Sequence, residues 1–311
     1  MIAVKLKFRS PLHVGVDSID SAGTIVHSDT LFGAIGSVLP LLGKDTKAFV
    51  DSMRDGGAVS SLYPFENDTY YLPKPLHANS VVMESLGNST KDYVFAKKFR
   101  KASLITKEAF EMIINRNIDT SRIEGLIPTR LPLRVIDVPK VAIDRVTSNS
   151  NIFYLTQVHF ASNSGLYFLY DGDVEIFDEY ILPALRFLGD EGLGGRRSWG
   201  LGLFSVEVVD DFEIAAPKGK TAFVTLSMVL PSSKSELLQW EPVKRSGWVH
   251  TVSGKPRRKP TMIFAAEGSL VSENSGRILD LDSIGSFSLE VGHKIYVYGK
   301  SFPIPAEVDE V

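Results

Sequence analysis

The segment of residues 192–202 has the residue types best suited to binding a phosphate backbone. It contains five glycines in eleven residues, together with two arginines, a serine and a tryptophan. Glycines let the backbone approach a ligand closely, N–H groups and arginines bind phosphate oxygens, and a tryptophan can stack on a base. A glycine-rich turn around a buried tryptophan is the structural alternative. The candidate contacts are Gly194, Gly195, Arg196, Arg197, Ser198 and Trp199.

The spacing in this segment excludes two common phosphate-binding motifs. It lacks the Gly-Lys-Ser/Thr ending of a Walker loop. A dinucleotide fingerprint would follow a strand and open a helix, whereas this segment is predicted to leave a helix and enter a strand. We therefore expect no cofactor.

A second candidate is the polar tetrad at residues 27–30, at the predicted start of a helix. The unpaired N–H groups and the dipole of a helix N-terminus favour an anion such as phosphate. A helix N-cap with one hydrogen-bonded histidine would give the same pattern. The tetrad consists of His27, Ser28, Asp29 and Thr30.

Positive charge is concentrated in two segments, although the whole chain has a net charge of −3. Residues 91–107 hold six cations and one anion, and residues 244–259 hold six cations and no anion. Cations interleaved with an aromatic side chain, as around Phe99, suit single-stranded RNA. Solvated loops are the alternative interpretation. The candidate contacts outside the first two motifs are Lys97, Lys98, Arg100, Lys101, Arg145, Lys255, Arg257 and Arg258.

Metal and catalytic patterns are weak in this sequence. The six histidines lie far apart without metal-ligand spacing, and paired carboxylates fall at predicted element ends, where solvated caps are the simpler interpretation. The chain has no cysteine, which excludes thiol catalysis and favours an intracellular, cytoplasmic protein. No apolar stretch reaches the 18 or so residues of a membrane span, so we expect no membrane contact.

The length of 311 residues indicates about two domains, and the hydrophobic pattern predicts their elements. Residues 60–150, interrupted by prolines, are interpreted as a long insertion with one helix over 106–117. The segments at 152–160 and 166–170 are predicted to pair as a hairpin. The remaining elements predicted in the first part are a strand at 1–10, a helix at 28–43, a helix at 177–188 and a strand at 203–209.

The hydrophobic pattern of the tail, residues 211–311, predicts the same order of elements as the first part of the chain has when its insertion is left out. Its elements are strands at 222–230, 243–251, 261–266 and 294–298, and helices at 234–240 and 279–284. We therefore expect an α+β protein with two ferredoxin-like, RRM-like βαββαβ domains at 1–210 and 211–311. The glycine-rich segment would precede the last strand of the first domain.

An ordered set of short motifs resembles the RAMP superfamily of CRISPR-associated proteins, and more narrowly its Csm-type subunits that cap the 5′ end of crRNA. The resemblance covers nearly the whole chain. Its motifs are Pro11-Leu12-His13-Val14-Gly15, His27-Ser28-Asp29-Thr30-Leu31-Phe32-Gly33-Ala34, Leu72-Pro73-Lys74-Pro75, Ile143-Asp144-Arg145, the glycine-rich segment, Ala266-Glu267-Gly268-Ser269 and Tyr298-Gly299-Lys300.

The resemblance implies a noncatalytic RNA-binding subunit of a type III-A effector complex in antiviral defence. Such a subunit holds the repeat-derived 5′ handle of crRNA and contacts the large polymerase-like subunit of the Csm complex and a neighbouring backbone RAMP subunit. The implied RNA contacts are the tetrad at 27–30, Arg145 and residues 194–199. The lysine and arginine contacts of the two basic segments are our own addition. The insertion would include a hairpin that folds over the guide.

Two other functions are compatible with these residues. Some RAMP proteins process crRNA, and His27 is the one well-placed general acid or base, so a metal-independent endoribonuclease is the main alternative. A structural adaptor without RNA contact would leave the glycine-rich segment and the basic segments unexplained.

Overall fold

The computed structural model describes residues 1–15, 22–87, 89–119, 122, 125–220, 222–249 and 257–308. These residues form a mixed α+β protein with antiparallel sheets, which confirms the predicted fold class at that level. No helix in the described part of the chain combines the length and apolar character needed to cross a membrane.

The first part of the chain forms a central antiparallel sheet and a long separate hairpin. Its strands are β1 (Ile2–Phe8), β2 (Ala58–Val59), β3 (Tyr63–Glu66), β4 (Thr69–Pro73), β5 (Leu104–Thr106), β6 (Leu133–Ile143), β7 (Ser150–Phe160), β8 (Ser164–Asp171) and β9 (Phe204–Val209). The strand order is β5-β4-β3-β8-β1-β9, and β2 also pairs with β8. The hairpin consists of β6 and β7.

Helices pack on both faces of this sheet, and successive residues of each strand point to opposite faces. Val4 and Leu6 of β1 pack with the helices at Ser28–Val38 and Leu182–Glu191, whereas Ala3 faces the core shared with the helix at Lys107–Ile114 and the C-terminal part. The helices are α1 (Ser28–Val38), α2 (Thr46–Asp55), α3 (Ala78–Glu84), α4 (Thr90–Lys101), α5 (Lys107–Ile114), α6 (Leu182–Glu191) and α7 (Phe287–Val291). Helical turns at Val174–Ile176 and Phe177–Ile181 lead into α6.

The C-terminal part contains short strands. They are β10 (Ala222–Thr225), β11 (Leu237–Gln239), β12 (Pro242–Val249), β13 (Arg257–Ala265), β14 (Leu270–Val271), β15 (Gly276–Asp280), β16 (Tyr296–Lys300) and β17 (Pro303–Ala306). One sheet has the order β11-β14-β10-β17, and the pairs β12–β13 and β15–β16 form two-stranded ribbons.

The hairpin predicted from residues 152–170 is wrong in its pairing. Both strands exist, but β7 pairs with β6, and β8 lies between β1 and β3 in the central sheet. The short polar turn made local pairing plausible, whereas burial decided the outcome, because β8 is buried on both faces and fits only inside a sheet. Residues 60–150 begin with β3, which is a strand of the same sheet.

Both helices predicted in the tail are wrong. Residues 234–240 form a single 3₁₀ turn at Lys234–Glu236 followed by β11. The carboxylate of Glu236 accepts hydrogen bonds from the N–H groups of Ser232 and Gly276, and β11 pairs with β14, so tertiary contacts override a short helical pattern. Residues 279–284 end β15 and form a 3₁₀ turn, and α7 begins later, at Phe287.

Candidate nucleic-acid interface

A basic cleft of about 830 Å³ lies where three segments meet. Its principal walls come from the glycine-rich segment, the face of α1 that carries Thr30, Ala34 and Ser37, and the β12–β13 ribbon. Among the described residues that line this cleft, five are basic and none is acidic. The basic residues are Arg196, Arg197, Lys244, Arg245 and Arg258. The fold therefore joins parts of three sequence candidates into one electropositive surface.

The glycine-rich segment packs tightly against residues 11–13. Gly194 has φ +88°, and a Cβ there would lie 2.5 Å from the carbonyl oxygen of His13. The N–H of Gly195 donates to the same carbonyl at 2.8 Å, and that of Gly202 donates to Pro11 at 2.8 Å. The glycines here allow the segment to pack closely against the protein's own backbone at residues 11–13. This packing fixes the shape of this wall of the cleft.

Arg196 and Trp199 present a paired surface at the end of this segment. Trp199 is 47% exposed, so it is not the buried tryptophan of a simple turn. The Arg196 guanidinium lies over its ring at 4.7 Å, and Phe153 of β7 approaches it at a centroid distance of 6.4 Å. Lys140 of β6 lines a second cavity of about 530 Å³ with these three side chains. Ser198 is also exposed.

His27 is the N-cap residue of α1, but its side chain makes no capping bond. Its Nδ1 lies 2.7 Å from Oε1 of Glu267, which also accepts a hydrogen bond from Ser61 Oγ at 2.5 Å. Burial lowers the pKa of His27, but the charge and hydrogen bond of Glu267 outweigh it, so the pKa is raised. Burial raises the pKa of Glu267, and His27 reverses this, so that pKa is lowered. His27 is thus held in an ion pair.

Ser28 is buried, and both its backbone and its side chain form hydrogen bonds within the protein. Its Oγ accepts a hydrogen bond from the N–H of Met228 at 3.1 Å, and its own N–H donates to Ser61 Oγ at 2.9 Å. Ser28 is 0% exposed. It joins α1 to the C-terminal part, and the N-cap position is held by His27.

Asp29 holds a guanidinium where an anion was expected. Arg245 donates from Nε and Nη2 to the two carboxylate oxygens of Asp29 at 3.1 and 2.9 Å, and from Nη2 to Thr30 Oγ1 at 3.0 Å. Burial raises the pKa of Asp29, but Arg245 outweighs it and holds the pKa below its usual value. The N-terminus of α1 therefore positions a cation of the cleft, and Thr30 lines the cleft beside it.

The first basic segment folds as the amphipathic helix α4. Phe99 is buried and packs against Phe95 at a centroid distance of 5.9 Å, so it is not available to stack on a base, contrary to the interleaving hypothesis. Its four neighbouring cations are exposed and do not line the cleft. These are Lys97, Lys98, Arg100 and Lys101.

Arg145 lies in the exposed turn of the β6–β7 hairpin. Asp144 shapes this turn, because its Oδ1 accepts hydrogen bonds from the N–H groups of Val146 and Thr147 at 2.7 and 3.2 Å. Arg145 does not line the cleft.

The second basic segment contributes to the cleft through the β12–β13 ribbon. Arg258 lines the cleft, whereas Arg257 lies over Phe287 and bonds Glu290 at 2.8 Å. Lys255 lies outside the described residues. Lys244, Arg245 and Trp248 line the cleft but were not selected from the sequence. The sequence signal that could have identified them was their place on the strand predicted at 243–251 and inside the second basic segment.

Comparisons with known proteins agree with this architecture along the whole chain. The RAMP superfamily model matches residues 5–205, and the CRISPR Csm4 C-terminal domain model matches residues 218–306. The CRISPR system Cms protein Csm4 of Thermococcus onnurineus (strain NA1) is 38% identical over 313 residues, covering 99% of this chain and 98% of that protein. The protein of the same name from Methanocaldococcus jannaschii is 24% identical, covering 98% and 97% of the two chains.

Solved structures show the same similarity. A chain in the crystal structure of a Csm1–Csm4 cassette in complex with cA4 is 32% identical, with a TM-score of 0.72, and the match covers 100% of this chain and 99% of that one. The chain described here therefore belongs to the RAMP superfamily. The full-length identity to curated relatives and the matched C-terminal domain place it in the Csm4 family of CRISPR proteins. The family resemblance read from its motifs is confirmed.

Proposed function

We propose that this chain is a noncatalytic subunit of a type III-A CRISPR effector complex and holds the 5′ handle of crRNA in the basic cleft. The convergence of five cations, the glycine-rich segment and one face of α1 on one cleft carries this proposal. Phosphate contacts supply salt-dependent affinity, and exposed rings with loop backbone supply base preference. Within the cleft, the direct contacts are Thr30, Gly194, Gly195, Arg196, Arg197 and Arg258. Beside it, the direct contacts are Ser198 and Trp199, of which Trp199 lines the second cavity.

The environment of His27 supports a noncatalytic role. Its side chain is only 23% exposed, and one ring nitrogen is committed to Glu267. Its other ring nitrogen is not committed in this way, but His27 does not line the basic cleft, so it is not placed to reach a 2′-hydroxyl of RNA bound there. His27 instead stabilises the junction between α1 and the C-terminal part. Asp29 contributes to RNA binding by positioning Arg245 in the cleft.

Further cations extend the proposed RNA path. Lys97, Lys98, Arg100 and Lys101 on α4 form one exposed cationic face, and Arg145 lies at the hairpin turn. Lys255 and Arg257 belong to the second basic segment. We assign these residues to the RNA backbone, because cations bind phosphate without reading sequence.

The partners we propose are the large polymerase-like subunit and a neighbouring backbone RAMP subunit. The similar chain in the crystal structure of the Csm1–Csm4 cassette supports the large subunit as a partner. The β6–β7 hairpin supports the second, since Val141, Ile143, Ile152 and Tyr154 expose apolar surface on a two-stranded ribbon.

We also propose a division into two ferredoxin-like domains at 1–210 and 211–311. In the first, the elements β1-α1-β3-β8-α6-β9 and the strand order β3-β8-β1-β9 support the βαββαβ assignment. The long insertion then runs from β4 to β7. In the second domain, a 3₁₀ turn stands where the first helix was predicted. The assignment of this domain as ferredoxin-like therefore relies on its strands and on α7.

The proposal is tested by binding of the full chain to labelled handle RNA and to a scrambled RNA, with one gel read for both shift and cleavage. The chain is assayed alone and with its large subunit. We expect a preference for the handle without cleavage, lost in an Arg196→Gln/Arg197→Gln variant and kept in Lys47→Gln, a control on the exposed side of α2. Metal-independent cleavage, or no handle preference in either format, would refute the proposal.

A further inference from the structure

We propose that Trp248 and Arg258 form a second nucleotide-binding platform in the cleft, on which one splayed base of the RNA stacks. This inference rests on the proposed function, because it names a subsite for the same RNA. It assigns a role to an aromatic residue that the sequence motifs did not single out.

The position of Trp248 on β12 directs its ring into the cleft. Successive residues of a strand face opposite sides, and the next residue, Val249, packs against the C-terminal core that includes Phe287. Trp248 therefore faces away from that core, lines the cleft and is 67% exposed. An exposed indole in a cleft lined by cations offers a flat surface on which a base can stack.

Arg258 fixes the orientation of this ring. Trp248 and Arg258 are directly opposite each other in the β12–β13 ribbon, and the guanidinium carbon lies 5.5 Å from the ring centroid. This cation–π contact occupies one side of the indole. A base can stack on the ring while the guanidinium and the nearby Lys244 bind the phosphates that flank it.

The same combination of residues occurs beside the cleft, where Arg196 lines both the cleft and the second cavity and Trp199 lines the second cavity. Arg196 lies over Trp199 at 4.7 Å in the glycine-rich segment. The two tryptophan–arginine pairs belong to the separate matched regions at 5–205 and 218–306. Cations between two aromatic platforms suit a single strand whose backbone runs along the cleft and whose bases splay to both sides. An acidic peptide would use the cations but gain nothing from two exposed indoles.

The chain has three tryptophans, at positions 199, 240 and 248, so each can be isolated as a fluorophore. In a Trp199→Phe/Trp240→Phe variant, Trp248 is the sole tryptophan, and the first of these changes keeps an aromatic ring in the glycine-rich segment. We expect handle RNA to quench the fluorescence of Trp248 in a saturable way. An abasic substitution scanned along the handle should relieve the quenching at one position. Tight binding of the RNA without quenching would overturn the stacking assignment.

Affinity gives an independent measurement. Loss of one stacking contact corresponds to a decrease in affinity of about tenfold, so Trp248→Ala should bind the handle about tenfold more weakly, and Trp248→Phe should retain most of the affinity. Trp240→Ala is the matched control, because Trp240 is exposed but does not line the cleft. Circular dichroism and thermal unfolding verify that each variant is folded.

The outcomes separate this inference from the proposed function. If wild-type protein shows no handle preference, both fail. If wild type binds the handle and Arg196→Gln/Arg197→Gln loses binding, while Trp248→Ala binds like wild type, only the second platform is refuted.

Discussion

The Asp29–Arg245 pair connects α1 to the β12–β13 ribbon and gives a quantitative test of the cleft's construction. The two side chains are 4% and 20% exposed, and two charge-assisted hydrogen bonds join them. Asp29→Asn keeps the size of the side chain but removes its charge and one acceptor. Arg245 would then lie without its counterion near Lys259, whose own pKa burial already lowers.

Removing one member of a buried ion pair costs about 3–5 kcal/mol. Because Arg245 retains some contact with water, we expect Asp29→Asn to lower the free energy of unfolding by about 3 kcal/mol, at the low end of that range. Urea denaturation of the full chain at pH 7, followed by tryptophan fluorescence, measures this change. The exposed pair Lys47–Asp51 provides the control, and Asp51→Asn should remain close to wild type.

A double-mutant cycle tests whether the cost comes from the pair itself. Adding Arg245→Met to Asp29→Asn removes the unpaired charge, so the double variant should be more stable than the sum of the two single changes indicates. Strict additivity, or a loss for Asp29→Asn of less than about 1 kcal/mol, would refute the argument that this buried pair holds the cleft together.

Three further predictions concern the same region. The His27–Glu267 pair stabilises the fold fully between the ordinary pKa values of 4.5 and 6.5 and loses its contribution as pH falls through the lowered pKa of Glu267 or rises through the raised pKa of His27. The difference in unfolding free energy between wild type and His27→Gln should therefore peak in that window, and a flat difference from pH 4 to 9 would contradict the ion pair. Gly194→Ala should reduce both stability and handle affinity because of its φ of +88° and the 2.5 Å approach to His13. Gly33→Ala lies inside α1, where an added Cβ meets nothing within 4 Å, so in the same assays it should leave the affinity unchanged and should not lower the stability. Lys244→Gln should reduce the slope of log affinity against log salt concentration by about 0.7 if Lys244 neutralises one phosphate, and an unchanged slope would exclude that contact.

Local pattern was sufficient for several elements. Alternating apolar and basic residues predicted β1, the spacing of Leu31, Phe32, Ile35 and Val38 predicted α1, and Gly43 ends the following turn in the left-handed conformation. These outcomes depend on residues a few positions apart, which the sequence itself places together. The position of the glycine-rich segment between a helix and a strand was predicted for the same reason.

The sequence alone also determined which segments carry positive charge and that the chain belongs among the RAMP proteins, because ordered motifs persist whatever the tertiary contacts are. It did not determine which cations lie together in the cleft or which acidic residues they pair with. Arg245 reaches Asp29 across 216 residues, and Glu267 reaches His27 across 240. Ionic partners separated by such distances depend on how the C-terminal part packs on α1. The same packing buries Ser28, exposes Trp248 and turns α4 away from the cleft. Burial and charge pairing are properties of surfaces in contact, and only the tertiary structure brings those surfaces together.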